Sequence, residues 1–245
     1  MSVRIAGATA RRVLTQLRRD PRTVVLLLGV PPLLLTVLKY AFEHDPAAFQ
    51  RIGGPLIGLF PFITMFLVTS ITMLRERTTG TLERLMTMPL AKLDLLAGYG
   101  LAFSAVAATQ ALIAGAVAFG ALGLHVAGST AAVLALAVAN ALLGTSLGLF
   151  VSAFARTEFQ AVQFLPAMVF PQLLLCGLFV PRARMAGLLH AISDAMPLTY
   201  AFDALERATT RGALGAAGAV DVAVVLAVTV LALALGAATL RRRTP

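Results

Sequence analysis

Six stretches of this chain run for 20 residues or more with almost no charge: 23–42, 53–74, 96–122, 129–153, 159–180 and 219–240. At ~1.5 Å per residue, each is long enough to cross the ~30 Å hydrocarbon core of a bilayer as a helix. Hydrocarbon offers no partner to a free backbone N–H or C=O, so a run of this kind must be helical to satisfy itself there. The composition agrees. The chain is 59% hydrophobic and 13% charged, whereas soluble domains are roughly 45–50% apolar even with glycine counted. The expected fold is an all-α integral membrane protein, one domain over 1–245, with six transmembrane helices. The third and fourth runs are separated only by the short stretch "GLHVAG", which predicts a tight helical hairpin.

Residues 1–22 differ from a cleavable leader. Arg4, Arg11, Arg12, Arg18, Arg19 and Arg22 are spread along the segment rather than gathered ahead of a short apolar core. Ala10, Val13, Leu14 and Leu17 fall on one helical face, and Arg11, Arg12, Thr15, Arg18 and Arg19 on the other. That pattern predicts an amphipathic helix lying in the membrane interface, ended by Asp20-Pro21. With the N-terminus in the cytosol, cytoplasmic segments carry 14 of the Lys and Arg residues and outer segments 6. Basic residues mark cytoplasmic loops, so six spans with both termini inside, in the cell membrane, is the consistent topology. The net charge of +9 therefore reads as membrane orientation rather than as nucleic-acid binding.

Gly54 and Gly58, and again Gly144 and Gly148, have the GxxxG spacing that lets helices approach closely. Prolines lie inside the runs at Pro31-Pro32, Pro61, Pro166 and Pro171, where each removes a backbone bond and can kink its helix. Gly144-Thr145-Ser146-Leu147-Gly148 also fits G-x-S-x-G. A nucleophile elbow needs a strand-to-helix turn and a nearby base; this stretch is inside an apolar helix, and His44, His125 and His190 all fall in expected outer loops. Helix packing is the better reading.

No ionisable residue lies near the middle of a run, since Lys39 and Asp221 are near ends. Ion-coupled transporters usually place one in their pathway, and an intramembrane metalloenzyme needs His or carboxylate ligands. Both classes are disfavoured, and no metal site is expected. The lone Cys176, in an apolar run, reads as a small packing residue. A P-loop ends in Gly-Lys-Ser/Thr, but Lys39 follows Leu38 and Lys92 follows Ala91. Energy from ATP would have to come from another chain.

The polar stretch "RERTTGTLERLMTMP", Arg75 to Pro89, interrupts this apolar background between the second and third runs. Leu82, Leu85 and Met86 are spaced to share one helical face. Gly80 would give a flexible entry and Pro89 a stop, with Glu83 and Arg84 on other faces. The expected object is a small apolar knob ringed by charge, within a cytoplasmic loop at 75–94.

This stretch resembles the signature of the second exporter-type permease family of ABC transporters, which includes daunorubicin-resistance and multidrug-efflux permeases. The pattern R-E-x-x-x-G-T-L-E-x-L-x-x-x-P is met by Arg75, Glu76, Gly80, Thr81, Leu82, Glu83, Leu85 and Pro89. A second landmark before the last run, "LCGLFVPRARMAGLLHAISDAMPLTYAFDALERA", matches at Pro181, Pro197 and Tyr200. The resemblance covers the chain. It implies a permease subunit without catalysis or cofactor of its own, because ATP and Mg are bound by a cytoplasmic ATPase partner present in two copies. It also implies a second permease copy or paralogue. Arg75, Glu76, Gly80, Thr81, Leu82, Glu83, Leu85, Met86 and Pro89 would form the coupling helix that docks on the ATPase. The second and fifth helices would line the path of an amphiphilic drug, antibiotic or lipid-like substrate. They offer Phe60, Phe62, Thr64, Phe66 and Thr69, and Gln163, Phe164, Met168, Phe170 and Gln172. The segment 181–217 would lie on or dip into the outer membrane surface, with Pro181, Pro197 and Tyr200 as gate candidates. Export of a lipid-linked glycan is the alternative within this fold, and an intramembrane enzyme is the alternative from another class.

Overall fold

The computed structural model describes residues 3–81 and 92–239, and among these it is built of helices without strands. The helix starts are written in the sequence. The Asp20 carboxylate accepts from the Thr23 N–H at 3.2 Å and the Thr23 hydroxyl at 2.6 Å, with Pro21 in the first turn. Asp45 caps the next helix through the Ala48 N–H at 3.1 Å, again followed by proline. Both satisfy helix-end donors that lack an internal partner. The order is α1 (Val3–Arg18), α2 (Pro21–Ala41), α3 (Pro46–Thr78), α4 (Lys92–Gly115), α5 (Thr130–Val151), α6 (Glu158–Phe164), α7 (Phe170–Leu175), α8 (Gly187–Asp194), α9 (Pro197–Thr210) and α10 (Gly215–Thr239). A π-helical turn, Ala116–Ala121, extends α4, and another, Leu165–Val169, joins α6 to α7.

The centre of the molecule is the contact between α3 and α5. A Cβ at Gly144 or Gly148 would collide with the backbone carbonyls of Phe62 and Phe66. One GxxxG pair therefore lets two backbones touch. The other pair, Gly54 and Gly58, receives Thr209 and Leu205 of α9. Small residues at these crossings allow dispersion contacts in a medium where apolar burial drives little. Phe62, Phe66, Ile57 and Leu143 are fully buried around this seam. Ser146 is buried mid-helix, its hydroxyl donating to the Leu142 carbonyl at 2.7 Å, as the packing reading expects.

Two amides reinforce the bundle. Gln110 of α4 donates from Nε2 to the Leu27 carbonyl of α2 at 2.8 Å and lies 2.8 Å from the Thr64 hydroxyl of α3, so one side chain ties three helices. Asn140 of α5 donates to the Gly58 carbonyl at 3.1 Å. The turn between α4 and α5 is held by Gln50, which donates to the Gly123 carbonyl and accepts from the His125 N–H, both at 2.9 Å.

The spans differ from expectation in three places. Among the described residues, five helices are long and apolar enough to cross a bilayer: α2, α3, α4 with its π turn, α5 and α10. The run expected at 159–180 is not among them. Pro166 lies in the π turn and Pro171 at the start of α7, and regular helix ends at Leu175. Proline lacks the N–H that continues the ladder, and a π turn accommodates the fault. Second, α3 is 33 residues long, about 50 Å, against the expected 53–74. It passes Pro55 and Pro61 without interruption and carries Arg75, Glu76 and Arg77 on its last turn. The loop expected from 75 thus begins at Thr79. Third, the apolar stripe of α1 faces protein. Ala6 and Val13 are buried, Ala10, Leu14 and Leu17 are half-buried, and Thr9 packs on Gly98 of α4.

Candidate functional site

Successive residues of an α-helix point about 100° apart, so three in a row can address three different neighbours. Arg75, Glu76 and Arg77, at the end of α3, do so. Arg75 makes a two-pronged pair with Glu158 of α6, Nε to Oε1 at 2.6 Å and Nη2 to Oε2 at 2.9 Å. Glu76 turns inward to Arg12 of α1, at 3.2 Å and 3.4 Å. Arg77 donates to the Thr239 hydroxyl of α10 at 3.3 Å. Arg12 also donates to the Tyr99 hydroxyl of α4 at 2.6 Å. The end of α3 is therefore a hub joined to α1, α4, α6 and α10.

The environments differ. Glu76 is 6% exposed, and a buried carboxylate must find a cation or lose its charge. The Arg75–Glu158 pair is more than half exposed on both sides, so water screens it. Thr79 closes the helix through its N–H to the Arg75 carbonyl at 2.9 Å. Gly80 follows at φ +71°, the left-handed position that glycine fills at a helix C-terminus. The expected flexible entry is thus a defined stop. A cavity of about 410 Å³ beside the hub, between α1 and α3, is lined in part by Gln16, Asp20, Thr72, Arg75, Glu76 and Thr79. The Thr23 hydroxyl and N–H hold the Asp20 carboxyl below its ordinary value.

Of the expected coupling residues, Arg75, Glu76, Gly80 and Thr81 are described. Leu82, Glu83, Leu85, Met86 and Pro89, and the short helix expected there, lie outside the described residues. The expected path residues separate into two groups. Phe62, Phe66 and Thr69 are fully buried in the bundle core. Gln172 is 6% exposed, its amide engaged with the Met168 carbonyl and the Leu198 N–H. These four are covered within the chain. Phe60, Thr64, Phe164 and Met168 are half-buried, and Gln163 and Phe170 are exposed.

At the other end, α8 leaves Leu188, Leu189 and Ile192 exposed, while α9 is buried against α3, α5 and α10. Arg182 bridges Asp194 of α8 and Asp203 of α9, the latter at 2.9 Å. Pro197 opens α9, the Tyr200 hydroxyl donates to the Asp194 carbonyl at 2.7 Å, and Pro181 precedes the short 3₁₀ turn Arg182–Arg184. Burial pushes the Asp203 carboxyl above its ordinary value despite the Arg182 guanidinium. Arg207 ties α9 to Asp221 of α10 at 3.3 Å.

Sequence reasoning missed Arg12, Tyr99 and Glu158. Nothing local marks them, because their partners lie 64 to 87 positions away. Gln110 and Asn140 did carry a signal, as lone amides deep in apolar runs.

Residues 6–208 match the family model described as ABC-2 type transporter. ABC transporter G family member 20 of Dictyostelium discoideum is 24% identical over 178 residues, 72% of this chain and 24% of that protein. The probable multidrug ABC transporter permease YbhR of Escherichia coli is 30% identical over 148 residues, 60% of this chain and 40% of that protein. The inner membrane transport permease YhhJ of Escherichia coli is 28% identical over 187 residues, 74% of this chain and 48% of that protein. The chain thus spans about a quarter to a half of the curated relatives it matches. With its apolar helices and a match reaching from α1 into α9, this multi-pass membrane protein belongs to the ABC-2 type transporter family.

Proposed function

We propose that the chain is the permease subunit of an ATP-driven exporter, moving an amphiphilic drug, antibiotic or lipid-like molecule out of the cell. The energy comes from a separate cytoplasmic ATPase docked on the segment after Gly80. The observation that carries this reading is the hub at the end of α3. The segment 82–91 leaves a helix whose last turn is tied to α1, α4, α6 and α10, and whose middle touches α5 backbone to backbone. A push on that segment reaches the bundle through α3, because packed interiors shift as units rather than deform. The name of one relative, a probable multidrug ABC transporter permease, supports a drug-like substrate. Termini in the cytosol, two ATPase copies and a second permease copy or paralogue complete the proposal. Gln163 and Phe170 are the path candidates still exposed in the single chain.

The test pairs ATP hydrolysis with substrate flux in vesicles holding permease and ATPase at matched levels. Glu83→Arg should leave an inserted permease that co-purifies with its ATPase, while hydrolysis stops responding to substrate and flux falls. The Leu82→Ala, Leu85→Ala double variant should loosen the complex, by about 2–5 kcal/mol if the partner buries both side chains fully. Unchanged flux in both would show that 82–91 is a solvated loop.

A further inference from the structure

Between α1, the first turns of α2 and the side of α4 lies a groove of about 520 Å³. Its walls are aliphatic, with Leu14 and Leu17 from α1, Pro21 and Leu28 from α2, and Val106 from α4. Arg18 is the one charged side chain among its lining residues. Pro21–Ala41 is apolar and long enough to span; with the span taken to start at Pro21, the first turns of α2 fall in the outermost hydrocarbon and Arg18 at headgroup level. From Pro21 to Leu28 the groove descends about 10 Å, roughly two-thirds of one ~15 Å half of the core.

The charge around the groove is unbalanced. Six arginines and a single acid, Asp20, occur in the first 22 residues. Asp20 is engaged in capping α2 through Thr23. Arg12 is taken by Glu76. Among the described residues, Arg18 has no carboxylate within ion-pair distance. An aliphatic slot capped by a cation without a counter-ion matches a molecule with an apolar chain and a negative head. A guanidinium suits a phosphodiester because its planar fork meets two oxygens at once.

We propose that this groove binds one anionic phospholipid of the phosphatidylglycerol type, its phosphodiester on Arg18 and one acyl chain along Leu14, Leu17, Leu28 and Val106. A zwitterionic headgroup brings its own cation against Arg18, so the site discriminates by charge. The lipid fills the space beneath α1, the helix that carries Arg12 to Glu76. The inference rests on the position of α2 in the membrane, not on what the transporter carries.

Native mass spectrometry of the full chain tests it, with phosphatidylglycerol and phosphatidylcholine of equal chain length supplied together. The first retained lipid should be phosphatidylglycerol by about tenfold, the discrimination of one charge-assisted contact. Arg18→Gln should abolish the preference. Arg19→Gln, at the turn just after α1 and off the groove, should keep it. Leu14→Trp, which fills the slot, should lower retention of both lipids. Glycerol phosphate, the headgroup without a chain, should not compete at equal concentration. Equal retention of the two lipids by the parent would overturn the site. So would equal losses in Arg18→Gln and Arg19→Gln, which mean diffuse attraction to a basic face. Competition by glycerol phosphate would also overturn it, by revealing a site for free anions.

Discussion

The two ends of the bundle both use ion pairs, but they join different things. At the basic end, the partners are 64, 83 and 87 positions apart, and the bonds run between separate helices: α1 to α3, α3 to α6, α1 to α4. At the opposite end, Arg182 reaches Asp194 and Asp203, 12 and 21 positions away, and fixes one corner. Arg207 then ties that corner to the start of α10. Long-range pairs make helices move together, whereas short-range pairs give one segment a shape. The first arrangement suits an input that must reach the whole bundle, and the second a corner of fixed local shape.

The largest test of this contrast is Arg12→Met. It leaves Glu76 buried without its cation, which should cost about 3 kcal/mol or more of stability in detergent and uncouple ATP hydrolysis from substrate. Adding Glu76→Gln removes the stranded charge and should restore most of the stability while transport stays low. If the double variant is no more stable than the single, Glu76 is not the group being compensated.

Arg182→Ala should cost less, about 2 kcal/mol, because Asp194 is half exposed and can turn to water and Asp203, whose carboxyl burial already raises, can take up a proton. Its effect should stay local. A cysteine at Ala186, in a Cys176→Ala background, should label faster while substrate-stimulated hydrolysis persists. Loss of that stimulation would erase the distinction between the ends.

Arg75→Ala removes a pair that is more than half exposed and should change stability by about 1 kcal/mol or less, with the effect shrinking in salt. A larger loss, insensitive to salt, would show that the hub is dry at Arg75 as well as at Glu76.

Acid should separate the ends by sign. The Asp20 carboxyl is held below its ordinary 3.8 by Thr23, so its contribution is present above 3.8 and lost as pH falls through the lower folded value. The Asp203 carboxyl is raised above 3.8 by burial. The folded chain holds that proton more tightly than the unfolded one, so its contribution is full below 3.8 and lost as pH rises through the folded value. Thermal unfolding of the parent, Asp20→Asn and Asp203→Asn from about pH 3 to pH 6 should show the two substitutions bending the profile in opposite directions. Parallel profiles would refute the assignment.

Much of this was readable in the chain. The long apolar runs, both GxxxG crossings and the D-P helix starts follow from local chemistry, and so does the exceptional character of Arg75 to Pro89. The break in the fifth run was signalled by Pro166 and Pro171, though proline alone does not say whether a helix bends or stops; Pro61 sits inside an unbroken α3. The hub was not readable. Arg12 looks like one more residue of a basic face, and only the fold shows that Glu76 comes beside it. Glu76 has Arg75 and Arg77 as its chain neighbours, yet helical geometry turns adjacent side chains apart and its partner is Arg12. Inside the spans the polar ties are the amides of Gln110 and Asn140, which bind helices without charge.

The length of α3 links the protein to the thickness of the membrane around it. At about 50 Å against a ~30 Å core, it must tilt, protrude or do both. It cannot slide to adjust, because the carbonyls of Phe62 and Phe66 are locked against Gly144 and Gly148 of α5. Bilayer thickness therefore acts on the pair as one body. Longer acyl chains draw it upright and shorter ones lay it over, carrying the charged hub sideways across the membrane surface as they do so.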